Sequence, residues 1–207
     1  MSDLDILSGT VHLVDDEAAV RDALGFLLAS RGLTVHSYAS GPEFLRTVDA
    51  APLEGCVLLD VRMEPMSGLI VHDELAARGL RNPVLFLTGH GDIPMAVDAL
   101  KKGAFDFIEK PYSDNALAER IERALRVADA MRARGAKDSE RVARLASLTE
   151  REREVMQRVA AGKLNKIIAD ELNVSIRTVE VHRARVFSKL GVRSAAEVAT
   201  LLAELGA

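Results

Sequence analysis

The chain has 207 residues, 48% of them hydrophobic and 28% charged, which is ordinary for a soluble globular protein of one large or two small domains. It contains no apolar run near the ~18 residues of a membrane span, and its first residues, MSDLDILSG, lack the basic and then apolar order of a signal peptide. We therefore expect a cytoplasmic protein. The single cysteine, Cys56, excludes an internal disulfide, and its apolar surroundings predict a buried structural thiol.

The net charge of -4 conceals two parts of opposite sign. Residues 1–125 hold 20 acidic and 11 basic side chains, a net charge of -9, whereas residues 126–207 hold 11 and 16, a net charge of +5. This asymmetry predicts two domains with different partners, of which the basic one is a candidate for binding nucleic acid. A solvated surface would explain the basic part equally well.

Five short apolar runs alternate along the chain with amphipathic helical stretches. In chain order they are TVHLV with a helix over 17–31, LTVHSY with 41–50, CVLL with 67–79, PVLFL with 93–102, and FDFI with a helix from 114 onward. Regular alternation of strand and helix predicts a doubly wound α/β fold with a five-stranded parallel sheet.

A long helical pattern follows residue 115 and runs until Gly135. Its apolar stripe consists of Leu117, Ile121, Leu125 and Ala128. We place a first domain at 1–126, a helical and polar linker at 127–146, and a second domain at 147–207, where no strand pattern occurs.

Acidic side chains end two of the predicted strands. Asp60 follows the run from Cys56 to Leu59, and Asp15 and Asp16 follow the first run. At the carboxyl ends of parallel strands, where such folds bind ligands, these three carboxylates can meet. A cluster of this kind is costly without a cation, and oxygen ligands with room for water suit magnesium. From its own stretch alone, Asp60 is explained equally well as a cap of the following loop or helix.

The fourth and fifth strands end in groups that bind phosphoryl oxygens. Thr88 ends the stretch LFLT, and Lys110 precedes Pro111 at the end of FDFIEKP. Each is ordinary alone, as a threonine in a turn or a lysine on a loop. Together with the carboxylates, however, they predict a site for a phosphoryl group or its metal ion.

These residues resemble the functional set of response-regulator receiver domains, which have a flavodoxin-like fold, and the resemblance spans residues 10–125. It implies that Asp60 accepts a phosphoryl group from the phosphohistidine of a sensor histidine kinase. It further implies that Asp16, Asp60 and the backbone carbonyl of Arg62 hold magnesium, for which manganese can substitute, with Asp15 in support.

The resemblance also assigns roles at the other strand ends. Lys110 would pair with Asp60 and then with its phosphoryl group, across a cis peptide bond to Pro111. Thr88 would hydrogen-bond the phosphoryl oxygens, and Phe107 lies where the family has a switch aromatic.

The chain departs from this family in the turn after the acceptor. Similar receivers have the pattern D-x-R-M-P-G-M-S-G, whereas this chain has DVRMEPMSG, with Glu64 at the proline position and Pro65 at the glycine position. A further carboxylate near the site would change metal affinity or the lifetime of the phosphoryl group, in a direction that the sequence leaves open.

Residues 147–207 predict an all-α domain of four helices that includes a helix-turn-helix. Two capping boxes mark helix starts, Thr149 with Glu152 and Ser194 with Glu197. Between them, LNKIIADELNVSIRTVEVHRARVFSKLGV predicts a helix, a turn at Asn173 to Ser175 and a second helix over 176–190.

A helical wheel gives this second helix one buried and one outward face. The buried side holds Val179, Val186 and Leu190 with His182 beside them, and the outward side holds Arg177, Val181, Ala184 and Ser188 with Glu180 and Arg185 on its flanks. Such an outward face suits base edges in the major groove of DNA. A merely solvated face would look similar.

The stretch from LTEREREVM to RSAAEVA resembles the LuxR/NarL-type DNA-binding domain, and the domain order and TGHGDIPMAV after the fourth strand are similar to the FixJ group. The resemblance places Glu180, Val181 and Ala184 at base-contacting positions. The candidates for phosphate contacts are Lys166, Thr178, Arg183, Arg185 and Lys189, beside Arg177 on the outward face. The last helix, 194–205, would pair two such domains on DNA.

The sequence therefore predicts a phosphorylation-dependent, DNA-binding transcriptional regulator and not an enzyme with turnover. Phosphoryl transfer to Asp60 would promote homodimerisation and place two recognition helices on promoter DNA, with RNA polymerase as a further partner. The family resemblance implies that the dimer forms through the fourth helix and fifth strand. Two alternatives stay open: a magnesium-dependent phosphatase acting on small molecules, and an adaptor that takes up phosphoryl groups without binding DNA. His90 and the other histidines are predicted to be structural or surface groups.

Overall fold

The computed structural model describes residues 8–89 and 93–205, which belong to two compact units with their boundary after Met131. The first unit alternates strands and helices, and the described part of the second contains helices only. None of the described helices is long and apolar enough to cross a membrane.

The first unit has the element order that the sequence predicts. Its strands are β1 (Thr10–Val14), β2 (Thr34–Tyr38), β3 (Cys56–Asp60), β4 (Val84–Thr88) and β5 (Asp106–Glu109). Its helices are α1 (Ala18–Ser30), α2 (Gly41–Ala50), α3 (Gly68–Ala77), α4 (Ile93–Lys101) and the first part of α5 (Asp114–Ala146). Neighbouring strands are parallel in the order β2-β1-β3-β4-β5, which confirms the predicted sheet.

The sheet is covered on both faces, so its central strands bury every side chain. Both β3 and β4 are buried throughout, which is why their sequences are continuous apolar runs and not alternating patterns. Successive side chains point to opposite faces, so Cys56 and Leu58 join one core while Val57 and Leu59 join the other. The predicted buried thiol is confirmed, and burial raises the pKa of Cys56 to about 12.

The order of the strands reverses between β1 and β3. The chain passes from β1 to β2 on one side and then from β3 outward to β5 on the other. Such a reversal leaves a crevice at the carboxyl ends of the two central strands, where open α/β sheets bind ligands. Val14 pairs with Leu59 in register, so the next residues, Asp15 and Asp60, lie beside each other at this crevice.

His12 on β1 is a buried histidine held in its neutral form. Its Nε2 donates to the carbonyl of Glu54 at 3.1 Å, so its Nδ1 accepts from the hydroxyl of Tyr38 at 3.0 Å. Burial is the main reason that the pKa of His12 falls to about 4. This histidine has a structural place in the first unit, as the sequence predicts for the histidines.

We expect the stability of the first unit to fall in acid because of His12. The unfolded chain binds a proton near pH 6.5 but the folded protein only near pH 4, so stability that is present above pH 6.5 is lost as the pH falls through this window, by about 3 kcal/mol. Urea denaturation of wild type and His12→Leu over this range measures the difference. The exposed neighbour His36 provides the control, since His36→Gln leaves His12 buried and should keep most of the pH dependence. Equal pH dependence in wild type and His12→Leu would contradict the assignment.

Helix α5 extends further than the sequence pattern predicts. The pattern ends at Gly135, whereas the helix continues to Ala146 and makes the predicted linker 127–146 helical throughout. One glycine in an exposed helix costs only about 1 kcal/mol. Ion pairs between residues four positions apart stabilise the helix before and after Gly135, namely Glu122 with Arg126 and Glu140 with Arg144.

The second unit contains the four predicted helices, α6 (Glu150–Ala160), α7 (Asn165–Leu172), α8 (Ile176–Leu190) and α9 (Ala195–Leu205). Asn173 ends α7 in the left-handed conformation, with φ at 51°, which asparagine adopts more readily than most residues. Ser175 then begins α8 because its Oγ accepts from the N–H of Thr178 at 3.1 Å. These contacts confirm the predicted helix-turn-helix and the bounds 176–190 of its second helix.

The two predicted capping boxes differ in the structure. At α6, Thr149 and Glu152 satisfy each other's backbone N–H groups, as predicted. At α9, Ser194 accepts from the N–H of Glu197 at 3.2 Å, but the Glu197 carboxylate accepts from the N–H of Arg193 at 3.0 Å. The Glu197 carboxylate therefore accepts from the N–H of the residue before the serine, so the second box is shifted by one residue.

Candidate functional site

Two carboxylates and one ammonium meet at the crevice between β1 and β3. Asp15 is 1% exposed and Asp60 is 7% exposed. Lys110, just after β5, donates through Nζ to Asp60 Oδ1 at 2.7 Å, and the same Nζ lies 3.5 Å from Asp15 Oδ2. The structure thus brings together three of the side chains that the sequence assigns to the site.

Each carboxylate also caps the chain that follows its strand. Asp60 Oδ2 accepts from the N–H of Arg62 at 2.8 Å, and Asp15 Oδ1 accepts from the N–H of Glu17 at 2.9 Å. The interpretation of Asp60 as a loop cap is therefore confirmed, while its role as a phosphoryl acceptor stays a prediction. One oxygen fixes the loop, and the other contacts the ammonium in the crevice.

The electrostatics of the crevice favour cations. Burial raises the pKa of Asp15, although the N–H of Glu17 and the charge of Lys110 oppose the shift. Burial alone would lower the pKa of Lys110, but the hydrogen bond and charge of Asp60 and the charge of Asp15 outweigh it and raise that pKa. The Lys110 ammonium is therefore held charged between two buried acids.

Carboxylate oxygens at this site are suitable ligands for a hard divalent cation. Asp15 Oδ2 is buried and has no hydrogen-bond partner, although the Lys110 ammonium lies 3.5 Å from it as an ion pair. Asp16 is exposed and accepts through Oδ2 from the N–H of Glu64 at 3.1 Å. No three acidic, histidine or cysteine side chains of residues 8–89 and 93–205 already converge as metal ligands. Magnesium, which binds through one or two carboxylates and keeps several waters, suits such a partly formed set.

The remaining predicted residues of this site lie on β4 and β5. Thr88 is fully buried at the end of β4, where its hydroxyl lies 3.5 Å from the carbonyl of Ile108 and its own carbonyl accepts from the N–H of Lys110 at 2.8 Å. Phe107 is half-buried and packs on the core that contains Val57. The bond from Lys110 to Pro111 is cis. His90, with the next two residues of TGHGDIPMAV, lies outside the described residues.

Two contacts at the site have no counterpart in the sequence analysis. The N–H of Glu64 holds Asp16, as described above. The other is the close approach of Gly68, at the start of α3, to the end of β3: a Cβ on this residue would lie 2.1 Å from the carbonyl oxygen of Asp60. The signal available was the glycine that directly follows the helix-starting serine in MSG.

The candidate nucleic-acid interface is the outward face of α8, and the structure places its residues as the helical wheel predicts. Val179, Val186 and Leu190 are buried, and His182 is half-buried beside them. The exposed residues of α8 include Arg177, Glu180, Val181, Ala184, Arg185 and Ser188. Lys166 is exposed near the start of α7.

Three of the predicted phosphate contacts have partners within the second unit. The hydroxyl of Thr178 lies 2.8 Å from that of Ser175, and Arg183 donates to Asn165 Oδ1 at 3.0 Å. Lys189 differs from the prediction most: its Nζ donates to Glu152 Oε2 at 2.6 Å and to the carbonyl of Ser147 at 3.0 Å. Lys189 therefore points toward α6 and holds a buried carboxylate, which argues against its assignment as a phosphate contact.

The pair formed by Glu152 and Lys189 stabilises the second unit. Glu152 is 3% exposed, and the hydrogen bond from Lys189, followed by that from the N–H of Thr149, lowers the pKa of its carboxyl to about 2. The lysine is itself partly exposed, so its ammonium keeps some contact with water.

Lys189 and Lys166 should respond differently to mutation. We expect Lys189→Met to lower the free energy of unfolding by about 1 to 2 kcal/mol without changing the salt dependence of DNA binding. Lys166→Ala should leave the free energy of unfolding nearly unchanged. It should reduce the steepness of log K against log salt by about 1, as the loss of one phosphate contact does. Urea denaturation and DNA binding at several salt concentrations measure both. A reduced salt slope in folded Lys189→Met would restore its role as a phosphate contact.

Comparisons with known proteins agree with both parts of this geometry. The family model of the response regulator receiver domain matches residues 11–122, and that of bacterial regulatory proteins of the luxR family matches residues 146–202. The C4-dicarboxylate transport transcriptional regulatory protein DctR of Rhodobacter capsulatus is 48% identical over 197 residues, which cover 94% of this chain and 100% of that protein.

Two further relatives match nearly the whole chain. The transcriptional regulatory protein FixJ of Bradyrhizobium diazoefficiens is 41% identical over 198 residues, 96% of each chain. The solved structure of the response regulator StyR has a TM-score of 0.84 at 38% identity and covers 94% of this chain and 98% of its own. The chain therefore belongs to the response regulators in which a receiver domain is followed by a luxR-family regulatory domain.

Proposed function

We propose that this chain is a transcriptional regulator that binds DNA and is controlled by phosphoryl transfer to Asp60. The observation that carries the proposal is the buried Asp60 carboxylate, held 2.7 Å from the Lys110 ammonium at the crevice of a parallel sheet. Relatives over nearly the whole chain are named as transcriptional regulatory proteins, which supports regulation of transcription as the output.

The phosphoryl donor is a phosphohistidine of a sensor histidine kinase. A carboxylate oxygen of Asp60 attacks the phosphorus atom, the phosphorus–nitrogen bond breaks, and the histidine nitrogen keeps the electron pair. Phosphoryl transfer depends on positioning and charge neutralisation more than on covalent chemistry of the protein. Asp16, Asp60 and the carbonyl of Arg62 would hold magnesium, with Asp15 in support, and the ion supplies neutralising charge when bound.

The new phosphoryl group changes the balance of charge in the crevice. The phosphoryl group carries about -1.5 to -2 charges in place of the single negative charge of the free Asp60 carboxylate, and Lys110 and the hydroxyl of Thr88 meet its oxygens with hydrogen bonds. Such charge-assisted bonds contribute about 1.5 to 3 kcal/mol each, and about 5.5 kcal/mol shifts a two-state equilibrium from 1:99 to 99:1. Two or three new contacts therefore suffice to switch the domain. Phe107 on β5 is the switch side chain, which changes position when Thr88 does.

The output domain acts on double-stranded promoter DNA. We assign residues 1–126 to the receiver, 127–146 to the linker and 147–207 to the DNA-binding domain. The phosphorylated protein forms a homodimer and places two α8 helices in major grooves about one helical turn apart. Base contacts come from Glu180, Val181 and Ala184, and phosphate contacts from Lys166, Arg177, Thr178, Arg183 and Arg185.

The proposal is tested by DNA binding of wild type and Asp60→Ala. Each protein is measured with and without a small-molecule phosphodonor and magnesium, at low and at physiological salt, on duplexes enriched from a random-sequence pool. We expect the phosphodonor to tighten binding of the wild type about tenfold or more and to leave the variant unchanged, with affinity falling steeply with salt in both. Equal binding by both proteins without response to the phosphodonor would show that the crevice does not control the DNA-binding domain.

A further inference from the structure

Backbone N–H groups of the loop after β3 hold two carboxylates, Asp16 just after β1 and Asp60 at the end of β3. The N–H of Arg62 donates to Asp60 Oδ2 at 2.8 Å, and the N–H of Glu64 donates to Asp16 Oδ2 at 3.1 Å. The loop is itself fixed, because the N–H of Gly68 donates to the carbonyl of Val61 at 3.0 Å. Two backbone N–H groups, two residues apart, thus connect the acceptor and a proposed magnesium ligand.

The second of these hydrogen bonds depends on the residue type at position 64. Similar receivers have proline there, and proline has no backbone N–H to donate. The exchange of proline for Glu64 therefore adds more than a side-chain carboxylate. It creates a backbone donor directed at Asp16.

Asp16 needs such a donor more than its neighbours do. Asp15 and Asp60 are buried, so packing restricts their side chains, whereas Asp16 is exposed. An exposed carboxylate otherwise samples several rotamers, and fixing one of them costs conformational entropy. Carboxylates that ligate metals are themselves commonly hydrogen-bonded, and loss of such supporting partners typically lowers metal affinity about 10- to 100-fold.

We propose that Glu64 is a positioning residue whose backbone N–H orients the Asp16 carboxylate for magnesium. The inference rests on the proposed function, in which Asp16 is a ligand of that ion. Glu64 acts through its main chain, and its exposed side chain is not required for this role. The departure of the turn from the family pattern then has a definite direction, toward tighter binding of magnesium through Asp16.

The decisive comparison is between Glu64→Pro and Glu64→Ala. Both variants lack the carboxylate, so any effect of its charge is common to them, and only the alanine variant keeps the N–H. Full-length protein is titrated with magnesium alone and followed by backbone amide chemical shifts. We expect the proline variant to bind magnesium about tenfold more weakly than the alanine variant.

A second readout separates positioning from general damage to the fold. In phosphorylation by a small-molecule phosphodonor, the proline variant should need about tenfold more magnesium for half-maximal rate than the alanine variant, while the rates at saturating magnesium agree. Equal magnesium requirements in the two variants would overturn the inference and leave the proposed function intact. Absence of magnesium binding by the wild type would instead overturn the metal site, and this inference with it.

The hydrogen bond is also testable in a chain without the proline substitution. Loss of charge in Asp16→Asn weakens the acceptor, so the amide proton of Glu64 should move upfield relative to the wild type, while the amide of Arg62, which donates to Asp60, moves much less. An unchanged Glu64 resonance would overturn the inference even if Glu64→Pro failed to fold.

Discussion

Replacing Lys110 by methionine should lower the free energy of unfolding of the receiver by about 3 kcal/mol and abolish the response of DNA binding to a phosphodonor. The ammonium lies between two buried acids, 2.7 Å from Asp60 Oδ1 and 3.5 Å from Asp15 Oδ2. Without it, both carboxylates lack their cation in a medium of low dielectric constant. The phosphoryl group on Asp60 would also lose a charged donor, so phosphorylation would no longer favour the active conformation.

Urea denaturation and DNA binding measure the two effects of Lys110→Met. Lys102 in the same domain is the matched control, because its ammonium pairs with Asp73 and Asp98 at 3.5 and 3.8 Å but is 52% exposed. Lys102→Met should therefore change stability by less than about 0.5 kcal/mol. Excess magnesium should restore more stability to Lys110→Met than to the wild type, since it supplies the missing charge. If the two methionine variants were equally stable, the central role of Lys110 would be wrong.

The sequence determined the position of the candidate site because strand ends are easy to locate. Continuous apolar runs mark β3 and β4, and a parallel sheet brings the residues after such strands to one edge. Strand ends alone therefore indicated that Asp15 and Asp60 could meet at one edge, whereas the pairing of Lys110 with Asp60 was implied by the family resemblance. The buried and exposed faces of α8 were also predicted correctly, because the 100° periodicity of a helix decides which of its residues are buried.

Hydrogen-bond partners in loops and between helices could not be predicted from the sequence. A wheel gives the direction of Lys189 but does not show that Glu152 of α6 lies opposite it at 2.6 Å. Any residue other than proline at position 64 has a backbone N–H, and only the three-dimensional structure shows that Asp16 accepts a hydrogen bond from it. The length of α5 was missed because the cost of Gly135 is smaller than the combined support of its flanking residues.

Gly68→Ala should disrupt the acceptor site, chiefly through contact with the backbone of the acceptor residue. A Cβ on Gly68 would lie 2.1 Å from the carbonyl oxygen of Asp60 and 3.0 Å from Leu59 Cγ. The start of α3 cannot simply move away from β3, because the N–H of Gly68 also donates to the carbonyl of Val61 at 3.0 Å. We expect a loss of about 2 to 4 kcal/mol in stability.

The same substitution should slow phosphorylation of Asp60 by about 100-fold, because displacement of a reacting group by about 1 Å has costs of this size. Gly25 on α1 is the control: a Cβ there meets no atom within 4 Å, so Gly25→Ala should gain up to about 1 kcal/mol from its helix propensity. The rate of phosphodonor-dependent phosphorylation, measured beside urea denaturation, separates the effects. A folded Gly68→Ala protein that is phosphorylated as fast as Gly25→Ala would mean that the position of Asp60 does not depend on this contact. Because Gly68 begins α3 directly behind the acceptor, the expected loss instead means that helix packing sets the geometry for phosphoryl transfer.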